Sequence, residues 1–469
     1  MSAARQLIEE VRGRFGPKAA ITERADIEPW LTDWRGRFHG EAKAILAPAS
    51  TEEVAAMVRL AAEHRIPLVP QGGNTGMVGG ATPPVDGSAL ILSLRRMNRL
   101  RSIEPGIAVM EAGMILADLH DRAAEQGMRF PLTLGSRGSC TIGGLVATNA
   151  GGTQVLKFGT MRSLVLGLEA VLPDGSIHHG LSGLKKDNRG YNLDQLLAGS
   201  EGTIGIITAA ALRLVPAVTA RAVAWAGVAD PQRALDTLQL ILSQTDRIEG
   251  FEIVAGDDLE LVLKHIPGTR SPLQGRHAWH VLMEATSDRA ADDPAQLLQE
   301  LLQEALERRF IEDATLASSE AQAEAFWRIR DSISEAERSE GQTLAFDLSV
   351  AVGEMPRFIA EASAAVERAF PGTVASAFGH LGDGNVHFHV RAGARTAPDW
   401  YDRETGEITR FVDDLVTIAG GSISAEHGIG QMKIDELERL GPPAKLHALR
   451  AIKQAFDPLG IMNPGKLVR

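Results

Sequence analysis

The sequence predicts a soluble enzyme of the α+β class with two or three domains. Its 469 residues exceed the length that one hydrophobic core usually spans. Hydrophobic residues make up 44% of the chain and charged residues 23%, as in ordinary globular enzymes. Strand-like and helix-like segments are mixed up to about residue 215, and long amphipathic helices then alternate with strands. We expect domains at residues 1–217, 218–417 and 418–469.

The first predicted domain contains helices with clear start signals. Residues 51–64 and 115–126 have helical periodicity. The first of these helices follows the segment Ser50-Thr51-Glu52-Glu53, which has the pattern of a capping box. An Asp174-Gly175 pair between two apolar runs indicates a β-hairpin.

The second predicted domain is richer in long helices. Its apolar periodicity predicts a strand at residues 277–284 and helices at residues 231–243, 294–309, 321–340 and 355–370. A further helix at residues 443–456 and a loop at residues 457–466 follow in the last predicted domain.

Charge and cysteine content limit the partners and the compartment. The net charge of −12 argues against nucleic acid, because phosphate contacts need a basic surface. Cys140 is the only cysteine, so an intramolecular disulfide is impossible and a reducing, cytoplasmic location is expected. The N-terminus lacks an apolar signal run, and the longest uncharged stretch, residues 138–156, is too polar to cross a bilayer. We therefore expect no transmembrane segment.

Glycine-rich loops indicate a large bound ligand. Pro70, Gly72, Gly73, Asn74, Thr75 and Gly76 follow an apolar run, and consecutive glycines let backbone N–H groups converge on a diphosphate. The motifs of a P-loop and of a dinucleotide-binding Rossmann unit are both missing. For this segment alone, a tight structural turn is the alternative.

Two further loops strengthen the cofactor interpretation. Residues 135–152 are uncharged and small, so they leave room for a flat aromatic ring and offer hydroxyls and amides to a heterocycle. Residues 199–205 form a third glycine-rich segment before an apolar run. Three such loops in one domain are hard to explain by turns alone.

A histidine-containing hairpin predicts a metal site. With Asp383-Gly384 as a two-residue loop, His380 lies directly opposite His387, and His389 shares their face. Two opposed imidazoles can share one ion, with Glu426 as the third ligand and His427 beside it. Zinc suits such a site, and manganese or iron are alternatives. Each histidine taken singly is better explained as a hydrogen-bonded structural residue, but the opposed pair together with the Glu426-His427 dipeptide favours a site.

The ordered set of motifs resembles a flavoprotein family. The three glycine loops, followed by Gly379-His380-Leu381-Gly382-Asp383-Gly384-Asn385 and Ala425-Glu426-His427-Gly428, are similar to the p-cresol methylhydroxylase / vanillyl-alcohol oxidase superfamily. Within it the chain resembles the FAD-dependent D-2-hydroxyacid dehydrogenases, over residues 40 to 469. This resemblance implies a PCMH-type FAD-binding domain followed by the α+β C-terminal domain of FAD-linked oxidases.

The resemblance also implies which residues contact FAD. The first loop, with Gly80, would hold the pyrophosphate, and the last residues would return to the cofactor through Asn463. The flavin and ribityl would be lined by Leu134, Gly135, Ser139, Cys140, Ile142, Gly143, Gly144, Ala147, Thr148, Asn149, Gly151 and Gly152. The adenine side would be held by Glu201, Gly202 and Ile206. The superfamily's covalent flavin histidine has no counterpart in these loops, so non-covalent FAD is expected.

The implied reaction is oxidation of a small anionic D-2-hydroxy acid, with the hydride passing to flavin N5. The resemblance assigns one divalent metal ion to His380, His387 and Glu426, and the role of catalytic base to His427. Arg330 and Ser334 match the family's carboxylate-binding pair. A fork-shaped guanidinium suits a carboxylate, although an arginine lying along a helix edge is the structural alternative.

The exact substrate is left open by two departures from the hydroxyglutarate pattern. Ala345 stands where those enzymes have a lysine, and His389 stands where they have an asparagine. A protonated His389 would bind a distal carboxylate of the substrate, and packing on Phe378 is the alternative. D-2-hydroxyglutarate, D-lactate and similar acids are the expected substrates. The alternatives are a same-fold oxidase of glycolate, an alditol or a phenol, or a non-catalytic flavoprotein subunit. The electron acceptor would be an electron-transfer flavoprotein, a cytochrome or a quinone, and a homodimer is left open.

Overall fold

The computed structural model describes residues 2–184, 186–393, 396–397 and 399–469, which divide into two compact units. Unit 1 comprises Met1–Gly152, Phe158–Ala217 and Glu426–Arg469, and unit 2 comprises Thr153–Lys157 and Val218–Ala425. The two units separate at residues 217/218, where we also expected the first boundary. The predicted boundary at 418 differs from this division, because residues 418–425 group with unit 2.

Every helix predicted from apolar periodicity forms, and the structure contains further helices that periodicity did not predict. In chain order they are α1 (Ala3–Phe15), α2 (Arg24–Ile27), α3 (Thr51–His64), α4 (Leu116–Ala124), α5 (Ile142–Thr148), α6 (Val155–Phe158), α7 (Met161–Leu164), α8 (Leu193–Leu197), α9 (Pro231–Leu242), α10 (Gly256–His265), α11 (Pro294–Glu307), α12 (Glu320–Asp331), α13 (Ile333–Glu340), α14 (Met355–Ala369), α15 (Trp400–Ile418), α16 (Ile434–Leu440) and α17 (Pro443–Phe456).

The strands are short in unit 1 and longer in unit 2. In chain order they are β1 (Ala20–Ile21), β2 (Ile45–Leu46), β3 (Leu68–Gln71), β4 (Leu90–Ser93), β5 (Leu100–Glu104), β6 (Ile107–Glu111), β7 (Met128–Arg129), β8 (Val165–Val171), β9 (Ile177–His179), β10 (Ile206–Arg213), β11 (Val215–Pro216), β12 (Ala220–Val228), β13 (Ile248–Ala255), β14 (Trp279–Ser287), β15 (Asp313–Leu316), β16 (Thr343–Ser349), β17 (Thr373–His380) and β18 (Asn385–Ala392). Helices and strands mixed in this way confirm the α+β class.

Local signals account for several helix starts. The Ser50 hydroxyl accepts a hydrogen bond from the backbone N–H of Glu53 at α3, and the Glu53 carboxylate accepts one from the N–H of Ala49. An aspartate followed by proline starts α9 at Asp230 and α11 at Asp293, because the carboxylate caps the first turn and proline needs no donor there.

Unit 1 contains two main sheets. One has the order β1-β2-β4-β3 and is parallel across β2, β4 and β3; the other has the order β5-β6-β10-β8-β9 and is antiparallel. A large hydrophobic core joins them and includes Leu46 and Leu92 from the first sheet and Ala210 from the second. The first glycine loop therefore begins at the carboxyl end of β3, a parallel strand, where such sheets commonly bind ligands.

Unit 2 is built on one antiparallel sheet with the order β15-β12-β14-β13-β17-β18-β16. One face packs on α10, α12 and α13 through a core that includes Trp225, Leu282 and Phe326. The other face contacts α14, where Phe358 lies 6.3 Å from Phe388 between ring centroids. The face toward α12 and α13 carries the polar residues of the candidate site.

The predicted helix at 321–340 is two helices in the structure. Residue Ser332, with φ −87° and ψ −2°, separates α12 from α13. The apolar pattern continues across the break because Ile329 and Ile333 both enter the core. Periodicity alone therefore could not reveal the interruption.

Among the residues that the structure describes, no helix combines the length and the apolar character needed to cross a bilayer.

Candidate active site

The first two glycine loops pack against each other with almost no space between them. A Cβ atom on Gly72 would lie 2.1 Å from Thr141 Oγ1, and a Cβ on Gly73 would lie 1.9 Å from the carbonyl oxygen of Ser139. No side chain fits at such distances. These two glycines are therefore required for the approach of the loops, whereas a Cβ on Gly76 or Gly135 would meet nothing within 4 Å.

Several buried polar atoms of unit 1 lack hydrogen-bond partners among the described residues, and three of them lie in or beside the predicted cofactor segments. They are Thr141 Oγ1, Ser200 Oγ and Asn463 Oδ1, on side chains that are 3%, 5% and 2% exposed as residues. Buried polar groups are rarely left unpaired in folded proteins. Unpaired hydroxyls and an amide oxygen beside glycine loops fit a polar cofactor that supplies the missing partners. Thr141 and Ser200 were not among the predicted contacts, although both lie inside the predicted loops.

The C-terminal segment joins these loops, as the resemblance implies. The Asn463 side-chain amide donates to the carbonyl oxygens of Gly80 at 3.0 Å and of Glu201 at 2.7 Å. The Asn463 backbone N–H donates to Leu68 in β3. Asn463 thus connects the first glycine loop with the third.

Lys466 is a buried cation in the same region. The residue is 2% exposed, and its ammonium has no hydrogen-bond partner among the described residues. Burial, opposed by the carboxylate of Glu201, lowers the pKa of Lys466 to about 8. A buried ammonium without an acceptor fits the anionic groups of a flavin nucleotide.

Glu201 holds the segment that carries Glu426 and His427. Its two carboxylate oxygens accept the backbone N–H groups of Ile429 at 2.8 Å and Gly430 at 2.7 Å. Burial, against these hydrogen bonds, raises the pKa of Glu201. The carboxylate predicted to face the adenine is therefore already engaged by the protein backbone.

The other predicted cofactor contacts all lie in unit 1, in differing environments. The amide of Asn74 donates to the carbonyl of Thr32, and Asn149 Oδ1 accepts the N–H of Arg162. The residues Cys140, Ile142 and Ile206 belong to the hydrophobic core. The remaining ones are Pro70, Gly72, Gly73, Thr75, Gly76, Gly80, Leu134, Gly135, Ser139, Gly143, Gly144, Ala147, Thr148, Gly151, Gly152 and Gly202. Their contacts with FAD stay predictions.

The register of the histidine hairpin in unit 2 differs from the predicted one. His380 pairs with Asn385, and His387 pairs with Phe378, so residues 381–384 form a four-residue loop. The two-residue loop was wrong because Asp383 Oδ1 accepts the N–H of Asn385, which closes the longer turn. His380 and His387 are therefore diagonal neighbours rather than directly opposed residues.

The three hairpin histidines nevertheless share one face. The rings of His380 and His387 have centroids 5.3 Å apart, and His389 lies two residues further along β18, opposite Ser376. Burial, and then the positive charges of Arg330 and His380, lower the pKa of His387 well below its usual value. His387 is therefore a neutral imidazole near pH 7, the form that a metal ligand requires.

A carboxylate that sequence reasoning missed connects two predicted site residues. Glu252 lies in β13 and is fully buried. Its Oε1 is 2.7 Å from His380 Nδ1, and its Oε2 accepts the Nε–H of Arg330 at 2.8 Å. Burial would raise the pKa of Glu252, but the positive charges of His380 and Arg330 outweigh it and lower that pKa. The available signal was the presence of two glutamates, Glu249 and Glu252, inside an otherwise apolar strand.

Arg330 has an unusual environment for an arginine. The residue is 8% exposed, and its guanidinium carbon lies 5.1 Å from the centroid of the Phe378 ring. Nε donates to Glu252, while the two terminal nitrogens have no hydrogen-bond partner among the described residues. Buried guanidinium groups normally pair all such donors. The structure thus presents a buried, fork-shaped donor suited to a carboxylate.

Ser334 lies in α13, beyond the break at Ser332, and not one turn along the same helix as Arg330. It is partly exposed. Its role in substrate binding stays a prediction.

His389 is engaged by a second carboxylate. Its Nδ1 is hydrogen-bonded to Glu337 Oε2, and its ring centroid lies 5.0 Å from that of Phe378. Ala345 is its partner across β16. The other carboxylate oxygen of Glu337 is buried without a hydrogen-bond partner in the described structure.

Asp258, which is affected by the charge of Glu337, is a buried acid with a strongly shifted pKa. Its two oxygens lie 2.6 and 2.7 Å from Ser376 Oγ. Burial, and then the negative charge of Glu337, raise the pKa of Asp258 to about 8. The folded protein therefore holds a proton that the unfolded chain releases near pH 3.8, the ordinary value for this group.

Asp258→Asn is expected to remove part of the pH dependence of stability. In the wild type the protonated carboxyl of Asp258 stabilises the folded state. This contribution to the free energy of unfolding is complete below pH 3.8, the pKa of the group in the unfolded chain, and it is lost as pH rises towards about 8. Urea unfolding at pH 5 and pH 8 should show the variant gaining stability relative to wild type at the higher pH. The control is Asp257→Asn, at the exposed neighbouring residue, which should show no such gain in stability. Equal pH profiles of stability for Asp258→Asn and wild type would contradict the prediction.

The predicted metal site is not reproduced as a cluster. Among the described residues, no group of three or more histidine, cysteine, aspartate or glutamate side chains is arranged to hold an ion. His380 and His387 belong to unit 2, and Glu426 and His427 belong to unit 1. The two imidazoles on one face fit two metal ligands, and the complete site stays a prediction.

Comparisons with known proteins identify the family. Residues 42–180 match the family model "FAD binding domain", and residues 218–467 match "FAD linked oxidases, C-terminal domain". The chain is 37% identical to the mitochondrial D-2-hydroxyglutarate dehydrogenase of Bos taurus, covering 97% of this chain and 82% of that protein. It is 35% identical to the mitochondrial enzyme of that name from Arabidopsis thaliana, covering 97% of this chain and 80% of the relative.

A solved structure supports the fold. The chain superposes on p-cresol methylhydroxylase with a TM-score of 0.76 at 17% identity, over 99% of this chain and 96% of the other. The buried polar atoms without partners and the glycine contacts fit the FAD that the matched domain binds. The chain therefore has the fold of p-cresol methylhydroxylase and belongs to the FAD-dependent D-2-hydroxyacid dehydrogenase family.

Proposed function

We propose that this protein oxidises a D-2-hydroxy acid to the corresponding 2-oxo acid, with FAD accepting the hydride. The observation that carries the proposal is the buried guanidinium of Arg330, whose terminal nitrogens have no described partner. In a chain of net charge −12, an anionic substrate needs a local cation of this kind. The names of the relatives, both D-2-hydroxyglutarate dehydrogenases, support the same substrate class.

Arg330 is the residue that binds and orients the substrate carboxylate. Its planar fork donates two parallel hydrogen bonds to the two carboxylate oxygens, and Glu252 holds the third edge of the guanidinium. Burial strengthens these hydrogen bonds, because the surrounding dielectric is low. Ser334 supplies an additional hydroxyl donor to the same carboxylate.

His427 accepts the proton of the substrate hydroxyl, since a neutral imidazole suits proton abstraction near pH 7. This assignment, and that of Glu426 as a metal ligand, rest on the sequence motif. The bound FAD supplies hydride acceptance at N5, which is the chemistry of the cofactor itself.

His380 and His387 are ligands of a divalent metal ion, with zinc preferred and manganese or iron as alternatives. The support is local: His380 Nδ1 is bonded to the Glu252 carboxylate, the arrangement that commonly orients metal-binding histidines. A bound divalent cation would lower the pKa of the substrate hydroxyl and polarise the C2–O bond. An electron-transfer flavoprotein, cytochrome or quinone acceptor, a homodimer and a cytoplasmic location stay predictions.

Anaerobic reduction of the bound flavin tests the proposed function. The purified protein should be yellow, and its flavin bands should bleach with a D-2-hydroxy acid but not with the L enantiomer. The panel should include D-lactate and D-2-hydroxyglutarate, because Ala345 and His389 differ from the hydroxyglutarate pattern. Bleaching by an alditol or a phenol, but by no D-2-hydroxy acid, would contradict the proposal. Metal analysis of the same sample tests the ligand assignment.

A further inference from the structure

One carboxylate joins the two groups that we expect at the substrate. Glu252 bonds His380 through Oε1 at 2.7 Å and Arg330 through Oε2 at 2.8 Å. The three residues come from distant parts of unit 2, since His380 is 128 positions and Arg330 is 78 positions from Glu252. The strands are also paired at this point, with Glu252 opposite His380 across β13 and β17. The geometry is therefore held by both backbone and side chains.

The two hydrogen bonds select one state of each partner. An ionised carboxylate can only accept hydrogen bonds, so Nδ1 of His380 must carry hydrogen, and a neutral ring has its lone pair at Nε2. The Nε–H of Arg330 is committed to Glu252, which fixes the plane of the guanidinium and the direction of its terminal nitrogens. The guanidinium carbon also lies over the Phe378 ring, 5.1 Å from its centroid.

Stability alone does not account for Glu252. The residue is 0% exposed, and its neighbour across β14 is the apolar Leu282. Burying a charge is costly, and well-packed apolar residues often replace a buried ion pair with no loss of stability. A fully buried glutamate with both oxygens engaged by candidate site residues therefore indicates a functional constraint.

We propose that Glu252 is a positioning residue that sets the tautomer of His380 and aims the terminal nitrogens of Arg330 at the substrate carboxylate. This inference rests on the proposed function, because it names the residue that holds the substrate-binding groups in place. In this role Glu252 acts through Arg330 and His380.

Glu252→Gln tests the two hydrogen bonds with almost no change in volume. A glutamine has one acceptor oxygen, so it can serve Arg330 or His380 Nδ1–H but not both. The dissociation constant of pyruvate, used as an unreactive 2-oxo acid and followed by perturbation of the oxidised flavin spectrum, should rise by about 10- to 100-fold. KM for the D-2-hydroxy acid should rise in parallel. The flavin content should stay close to wild type, whereas the melting temperature should fall because the buried guanidinium of Arg330 loses its counterion.

Glu252→Asp and Glu284→Gln complete the experiment. Aspartate keeps the charge but is too short to bridge both partners, so it should also weaken pyruvate binding, which keeps the test valid if the glutamine variant does not fold. Glu284 lies on the same sheet face and accepts the Nε1–H of Trp327 at 2.8 Å, away from His380 and Arg330. Its glutamine variant should bind pyruvate as wild type does.

The outcomes separate this inference from the proposed function. If wild type neither binds pyruvate nor is reduced by any D-2-hydroxy acid, the proposed function fails first. If wild type is active and both Glu252 variants bind pyruvate within twofold of it, the positioning role is wrong. An equal loss in Glu284→Gln would also overturn the role, because any buried carboxylate on this face would then have the same effect.

Discussion

Replacing Arg330 with methionine is expected to lower kcat/KM for the D-2-hydroxy acid by about 30-fold to several thousand-fold, since truncating one partner of a buried charge pair costs about 2–5 kcal/mol. Methionine replaces the apolar stem of arginine but has no hydrogen-bond donors, so the substrate carboxylate loses its two hydrogen bonds. Glu252 also loses its Nε–H donor. Steady-state turnover with a dye as electron acceptor measures the effect.

Two companion variants show whether the effect belongs to the guanidinium. Arg330→Lys keeps the charge, but one ammonium cannot serve Glu252 and form a planar two-bond contact with a carboxylate, so a large loss is still expected. Arg328→Met changes an exposed arginine of the same helix, which donates to the carbonyl of Pro267, and should leave kcat/KM unchanged. If Arg330→Met kept nearly full activity, the substrate carboxylate would have to bind elsewhere.

Gly73→Ala is expected to abolish FAD binding and to destabilise unit 1 strongly. The added Cβ would lie 1.9 Å from the carbonyl oxygen of Ser139 and 3.3 Å from the Cα of Cys140, and both are backbone atoms that cannot rotate away. The first two glycine loops would have to separate. Overpacking typically costs about 1–3 kcal/mol and occasionally more. The flavin absorbance of the purified protein and its thermal unfolding report the two effects.

Gly76→Ala is the matched control in the same loop. A Cβ there would meet nothing within 4 Å, so the melting temperature of the apoprotein should equal that of wild type. A yellow Gly73→Ala protein with a wild-type melting temperature would show that the loops do not depend on this close approach.

Helices whose ends are marked by residues close in the sequence could be predicted closely. The helix at residues 51–64 was predicted with its exact ends, because the capping residues Ser50 and Glu53 lie within one turn of its start. The helix at 443–456 likewise has the predicted ends. The motif order also predicted the FAD-binding and FAD-linked oxidase families that the comparisons identify.

The contacts that make the site could not be predicted in the same way. The Asp383-Gly384 pair suggested a two-residue turn, but the carboxylate of Asp383 stabilises a longer one, and this moved His380 from opposite His387 to a diagonal position. Alternation along a strand predicts which face a side chain occupies, and so the three histidines were placed on one face. Alternation does not predict which residue from another strand or helix lies beside that side chain.

For this chain, local sequence determined the ends of several helices and the cofactor family of the glycine loops, because the capping and loop signals each lie within a short segment. The tertiary structure alone decided that Glu252 holds both His380 and Arg330, and that Asn463 joins two glycine loops. Those partners come from distant segments that the strand order β13-β17-β18 and the return of the C-terminus bring together. Hydrogen bonds depend on that spatial order, which no periodicity in the sequence encodes.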